Sequence, residues 1–144
     1  MRRLDAVLAP AVGVTQTEGT KTMQGSKRLT TNALRTFTGT EHWYRHPLAP
    51  NVLYTDGARY VAVHGGAYWL LDAIAFAQKA VAAVAAVEFQ LWKLTVQVDR
   101  SARLICEDGN GGIVFSKAID YNDFPLPEID LYFTNGVILL PGEY

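Results

Sequence analysis

The chain has 144 residues, 49% hydrophobic and 19% charged, with a formal net charge of −1. Those values fit one globular domain with a real core and exclude a disordered chain. The near-neutral balance argues against nonspecific nucleic-acid binding, which needs a basic stripe to displace counterions, although Lys21, Lys27, Arg28 and Arg35 lean positive near the N-terminus.

The opening MRRLDAVLAPAVGV resembles a signal peptide only superficially. Asp5 and Pro10 interrupt its apolar stretch, and no small-residue cleavage motif follows cleanly. Residues 1–26 then turn polar, rich in Thr, Gly and Lys. They read as a flexible extension, or as sequence upstream of a second start at Met23. A single α+β domain over residues 27–144 is expected to follow.

Leu29-Thr30-Thr31 opens a short helical segment to about Phe37, with a threonine as its cap. Thr38-Gly39-Thr40-Glu41 matches a capping box and predicts a second short helix, about Gly39 to His46, ended by Pro47 and Pro50. Asn51 to Tyr54 reads as a strand, Thr55-Asp56-Gly57 as a turn, and Ala58 to His64 as the returning strand. Gly65-Gly66 breaks it. A long helix is then expected from near Ala67 to at least Gln78 and on to about Ala86, with Leu70, Leu71, Ile74, Gln78 and Val81 on one stripe. The run from Ala73 to Val87 is too short and too rich in alanine to span a bilayer.

From Glu88 onward the pattern is strand. Phe89 to Val98 turns at Asp99-Arg100-Ser101 and pairs back over Arg103 to Glu107; Asp108 to Gly112 is a hairpin loop before Ile113 to Tyr121. Asn122 to Pro127 is a loop, and Ile129 to Phe133 and Val137 to Leu140 flank Asn135-Gly136, a strong hairpin signal. Together these predict an antiparallel sheet of about five to seven strands, largely a meander, with the long helix on one face and the short N-terminal helices at an edge or end. The single cysteine, Cys106, forbids an intrachain disulfide. It reads as a buried, inert thiol in a reducing, cytoplasmic compartment.

Function concentrates in one block, Phe37 to Gln78, which holds all three histidines, two of the three tryptophans and four of the seven tyrosines. Trp43, Tyr44, Tyr54, Tyr60, Tyr68 and Trp69 offer an aromatic platform with Arg45 and Arg59 as anchors. Tyr, Trp and Arg carry interface energy because they join large buried area to a polar handle. On the predicted strand, Arg59, Val61 and Val63 share one face and Tyr60 and Ala62 the other. Trp69 and Trp92 are expected in the core. The competing chemistry is ionic. His42 and His46 stand four apart, so on a helix they share a face, and His64 and Asp72 could join them in a metal, ligand or acid–base site. The order is not H-E-x-x-H, however, since Glu41 precedes His42. No G-x-S-x-G is present, and Asp108-Gly109-Asn110-Gly111-Gly112 has neither the lysine nor the following helix of a phosphate loop. No motif calls for a cofactor.

The segments FTGTEHWYRH, VLYTDGARYVA, GGAYWLLDAIAFAQ, EFQLWKLTV, ICEDGNGGIVFSKAIDYNDFPL and LYFTNGVILLP, in this order, resemble an uncharacterised bacterial family, a domain of unknown function. It is associated with plasmids, integrative elements and phage-derived regions. The resemblance covers about Asn32 to Tyr144 and implies no activity, cofactor or catalytic residue. What it implies is a setting in which small proteins bind and block host machinery, as anti-CRISPR proteins do. The leading expectation is therefore a noncatalytic protein-binding module of a mobile element, using Trp43, Tyr44, Arg45, Tyr54, Arg59 and Tyr68. The alternative is a small enzyme or metal- or ligand-binding protein built on His42, His46, His64 and Asp72. A homodimer is also credible from the Asn-Gly edges and the alanine-rich helix.

Overall fold

The computed structural model describes residues 29–144. The proposed extension, residues 1–26, lies outside them. The described chain is α+β. Helix α1 (Thr31–Leu34) precedes strands β1 (Trp43–Arg45) and β2 (Leu53–Thr55). Helices α2 (Asp56–Gly65), α3 (Tyr68–Ala80) and α4 (Ala82–Ala85) follow, then strands β3 (Phe89–Val96), β4 (Ala102–Glu107), β5 (Ile113–Ile119), β6 (Glu128–Thr134) and β7 (Val137–Leu139). A 3-10 turn, Pro141–Glu143, ends the order. None of the described helices is long and apolar enough to cross a membrane.

All seven strands join one sheet in the order β1-β2-β7-β6-β3-β4-β5. Only part of it is the expected meander. β3, β4 and β5 follow one another through hairpins, but β6 returns to the far side of β3. The Asn135-Gly136 turn, with φ of 54° and 78°, then lays β7 beside β6. Every pairing is antiparallel except that of β2 with β7, which is parallel.

Register and burial separate the two faces of the sheet. Tyr54, Ile138, Leu131, Ile129, Trp92, Leu94, Leu104 and Cys106 point to the side covered by the helices and are buried. Leu70, Leu71, Ile74 and Ala75 of α3 and Ala58, Val61 and Ala62 of α2 close that core. Trp92 is core as expected, while Trp69 is half-buried and packs against it. Within the core, Gln90 and Gln78 exchange two amide hydrogen bonds of 2.8 and 2.9 Å, and Trp92 Nε1 donates to Gln90 Oε1.

Three sequence expectations fail here. Residues 43–45 form a strand and not the end of a helix, because Trp43, Tyr44 and Arg45 pair with Thr55, Tyr54 and Leu53. The expected returning strand, Ala58 to His64, is helical. Thr55 caps α2 by accepting from the Ala58 amide at 3.2 Å, so Thr55-Asp56-Gly57 starts a helix and is not a hairpin turn. Gly66 stops the helix in the left-handed conformation at φ 60°. Its buried positions, Gly57, Ala58, Val61, Ala62 and Gly65, follow the helical period that an alternating reading of the same residues hides. Finally, the helix expected to reach Ala86 stops at Ala80. β-Branched Val81 takes an extended conformation, φ −123° and ψ 103°, and α4 is only a short turn beyond it.

The sheet's outer margin at β5 is guarded. The register slips by one residue between Cys106 and Glu107, a bulge, and Lys117 opposite Leu104 places a charge on the helix-covered side. Both features oppose pairing of an exposed edge with another chain.

Candidate functional site

The site forms where β1, β2 and the first turn of α2 meet. Tyr44 and Tyr54 are cross-strand partners, and their rings stack with centroids 5.6 Å apart at 27°. The Arg59 guanidinium, one turn into α2, lies 5.1 Å from the Tyr44 ring centroid. This places a cation on an aromatic face, an attraction set by the ring quadrupole. The Tyr44 hydroxyl donates to Asp56 Oδ1 at 2.9 Å, and the His42 backbone amide donates to Asp56 Oδ2 at 3.2 Å. His42 Nδ1 also meets that oxygen at 3.4 Å. Asp56 is thus a hub that fixes both Tyr44 and the loop before β1. Burial pushes its carboxyl up, but the Tyr44 hydroxyl and His42 outweigh burial and hold it below its ordinary value. The reciprocal effect is on Tyr44: the bond to Asp56, then burial, pushes its hydroxyl up. Tyr54 is raised chiefly by burial, with Tyr68 contributing next.

Beside this stack lies a cleft of about 700 Å³, lined by residues 36–41 on one wall and by Asp56, Arg59, Tyr60, Val63 and His64 on the other. Tyr60 bridges the walls, 5.1 Å from the Phe37 ring and 4.2 Å from His64.

The anticipated patch divides. Tyr44 and Arg59 come together over Tyr54, which at 8% exposure belongs to the core and not to the surface as expected, and Tyr68, 45% exposed, is near enough to Tyr54 to help raise its hydroxyl. Trp43 and Arg45 alternate with Tyr44 along β1, so they project from the opposite face of the sheet. Trp43 lines a smaller cleft of about 360 Å³ there with Thr134, Val137 and Tyr144.

The four ionisable candidates divide as well. His46 is 2% exposed, and its ring is fully engaged. Nδ1 accepts from the Leu48 and Ala49 amides at 3.1 and 3.0 Å, so Nε2 carries the proton and donates to Asp72 Oδ1 at 2.7 Å. That ring has no lone pair left for a metal or for a proton from substrate. It shapes the turn between β1 and β2. His42 instead joins Asp56, and His64 stacks on Tyr60. Among the described residues no group of three or more His, Cys, Asp and Glu side chains is placed to hold a metal ion. The Cys106 thiol is buried, and burial, then Asp108 and Glu107, pushes it up to about 12, which leaves it unreactive.

Sequence reasoning missed two members of this region. Asp56 carries a turn signal that conceals its role as hub. Glu143 carries only a local cue, a glutamate three residues after Leu140 in a turn opened by Pro141, and nothing that points to α2. Its carboxylate accepts from Thr55 Oγ1 at 2.6 Å, from the Gly57 amide at 3.0 Å and from the Leu140 amide at 2.9 Å. A negative charge thus sits at the N-terminal end of α2, where the helix dipole and unpaired amides favour it. Gly57 permits this approach, since a Cβ there would collide with Glu143 and Leu140.

No curated protein and no solved structure matches the chain. A family model does match, over residues 28–144, and it carries the description of a family of unknown function. The ordered segments from FTGTEHWYRH to LYFTNGVILLP fall inside that span, and the chain belongs to this family, DUF6876.

Proposed function

We propose that the protein is a noncatalytic protein-binding module whose contact surface is Tyr44, Arg59 and Tyr68 with the adjoining cleft, while buried Tyr54 supports Tyr44 from beneath. The observation that carries this reading is the ordered stack in which Arg59 lies over Tyr44 and Tyr44 over Tyr54, fixed by the hydroxyl bond to Asp56. Side chains already held in one arrangement lose little freedom on binding, so more of their contact energy appears as affinity. The alternative built on His42, His46, His64 and Asp72 has less support, because His46 and Asp72 are bonded to each other while His42 joins Asp56.

The finer reading is a module of a mobile element that occupies a surface of a host defence protein, as an anti-CRISPR protein does. It rests on the resemblance of the sequence segments alone. Trp43 and Arg45, on the other face, then belong to a second contact or to none.

The test is a quantitative pulldown from a bacterial lysate with the wild-type protein, Arg59→Ala/Tyr68→Ala and a control, Lys117→Ala. A specific partner should be retained by the wild type and the control and lost by the double variant. For the finer reading, expression in cells with CRISPR immunity should restore phage plaques, and the double variant should not. Identical retention by all three proteins would remove the patch from consideration.

A further inference from the structure

A second feature, separate from Tyr44, Arg59 and Tyr68, lies at the open end of the β6–β7 hairpin. β6 has seven residues and β7 only three, so the hairpin arms are unequal. β7 pairs with Tyr132, Phe133 and Thr134, and Glu128 to Leu131 overhang it. The chain cannot continue the ladder there, because Pro141 has no amide hydrogen, and it turns away into the 3-10 segment. Along the overhang runs a groove of about 560 Å³ whose apolar lining includes Leu34, Phe37, Leu126, Ile129 and Leu140.

Two constraints fix what this gap accepts. The first is backbone. Thr134 and Val137 close a two-residue hairpin, so even-numbered residues of β6 aim their amides and carbonyls toward β7. The Val96 amide donates to the Pro127 carbonyl at 2.7 Å, which confirms that odd-numbered positions serve β3. Glu128 and Asp130 therefore point their backbone groups into the gap, and no backbone group among the described residues bonds them there. The second is charge. Ile129 and Leu131 face the core, whereas the side chains of Glu128 and Asp130 project from the open face. Lys93, opposite Asp130, pairs with Glu107 at 3.7 Å, so among the described residues Asp130 and Glu107 share that ammonium. Arg35, on the far wall of the groove, is exposed.

We propose that this gap receives a short extended segment of a protein partner, which adds a strand to β6 in line with β7, with apolar side chains entering the groove and basic side chains opposite Glu128 and Asp130. Strand addition of this kind takes affinity from backbone bonds and selectivity from alternate side chains.

The probe is the acetylated, amidated peptide Lys-Val-Lys-Val-Lys-Val, compared with Glu-Val-Glu-Val-Glu-Val, added to the full chain and followed by amide exchange and chemical-shift perturbation. With the basic peptide at about ten times its Kd, exchange at Glu128 and Asp130 should slow about tenfold. The acidic peptide should leave both amides unchanged. Glu128→Lys/Asp130→Lys should invert the preference, and its unchanged shifts elsewhere would verify the fold. The proposal is overturned if neither peptide perturbs these amides, if both do so equally, or if the amides already exchange slowly in the free chain because its own residues fill the gap.

Discussion

β3 pairs with β4 over six consecutive residues and with β6 over seven, whereas β1, β2 and β7 have three residues each. The long-strand half is held by cross-strand pairs and by the large side chains of Trp92, Leu94, Leu104 and Leu131 beneath them. The short-strand half has fewer ladder bonds and relies on side chains that reach it from elsewhere. Glu143 ties the end of the chain to Thr55 and α2, Asp56 ties α2 to His42 and Tyr44, and Asp72 ties α3 to His46. Polar ties of this kind fix orientation more than they add net stability, since each replaces a bond to water. The candidate surface lies on that half, where these hydrogen bonds add to packing in setting position.

The contrast can be broken most forcefully in the core. Trp92→Ala, which empties a fully buried ring site, should cost about 3–5 kcal/mol in urea denaturation. Next comes the clasp. Glu143→Ala strands the acceptor-dependent groups of Thr55, Gly57 and Leu140 and should cost about 3 kcal/mol, with Glu143→Gln recovering part of it. A midpoint indistinguishable from wild type would show that the short-strand half does not depend on this carboxylate. His46→Ala should cost about 2 kcal/mol, because the Leu48 and Ala49 amides lose their acceptor.

A gentler probe is pH. Asp56, held below its ordinary value, contributes stability that is present above the unfolded carboxylate value of about 4 and is lost as pH falls through the lower folded value. Wild type and Asp56→Asn should therefore converge in stability as the solution becomes strongly acidic. In the same variant Tyr44 should ionise at lower pH in a spectrophotometric titration, because the bond that raises it is gone. The smallest effect on folding belongs to Arg59→Ala, an exposed position, at about 0.5 kcal/mol or less. Its consequence should appear in partner binding instead.

Legibility in the sequence follows the same division. The hairpins at Asp108 to Gly112 and Asn135-Gly136 are written locally, in residues that accept positive φ, and they stand where expected. The return of β6 to β3 and the parallel contact of β2 with β7 are not, because both depend on core packing between distant segments. α2 was concealed by Tyr60, Val61 and Val63, which suit a strand, and by a threonine whose capping role resembles a turn. Tyr44, Tyr54, Arg59 and Tyr68 were recognisable by residue type, but the sidedness of Trp43 and Arg45 depends on β1 being extended. The tie from Glu143 to α2 could not be found from its neighbours: the hydroxyl and amide it receives from Thr55 and Gly57 come from 88 and 86 positions upstream.

The bulge and the lysine on β5 bear on how copies of this chain meet one another. Seven outermost residues containing Ile113, Val114, Phe115 and Ile119 would otherwise form a tacky ribbon. With Lys117 set among them, margin-to-margin zippering must desolvate an ammonium and straighten a kink. Growth into filaments through this margin is thereby discouraged even in a crowded solution.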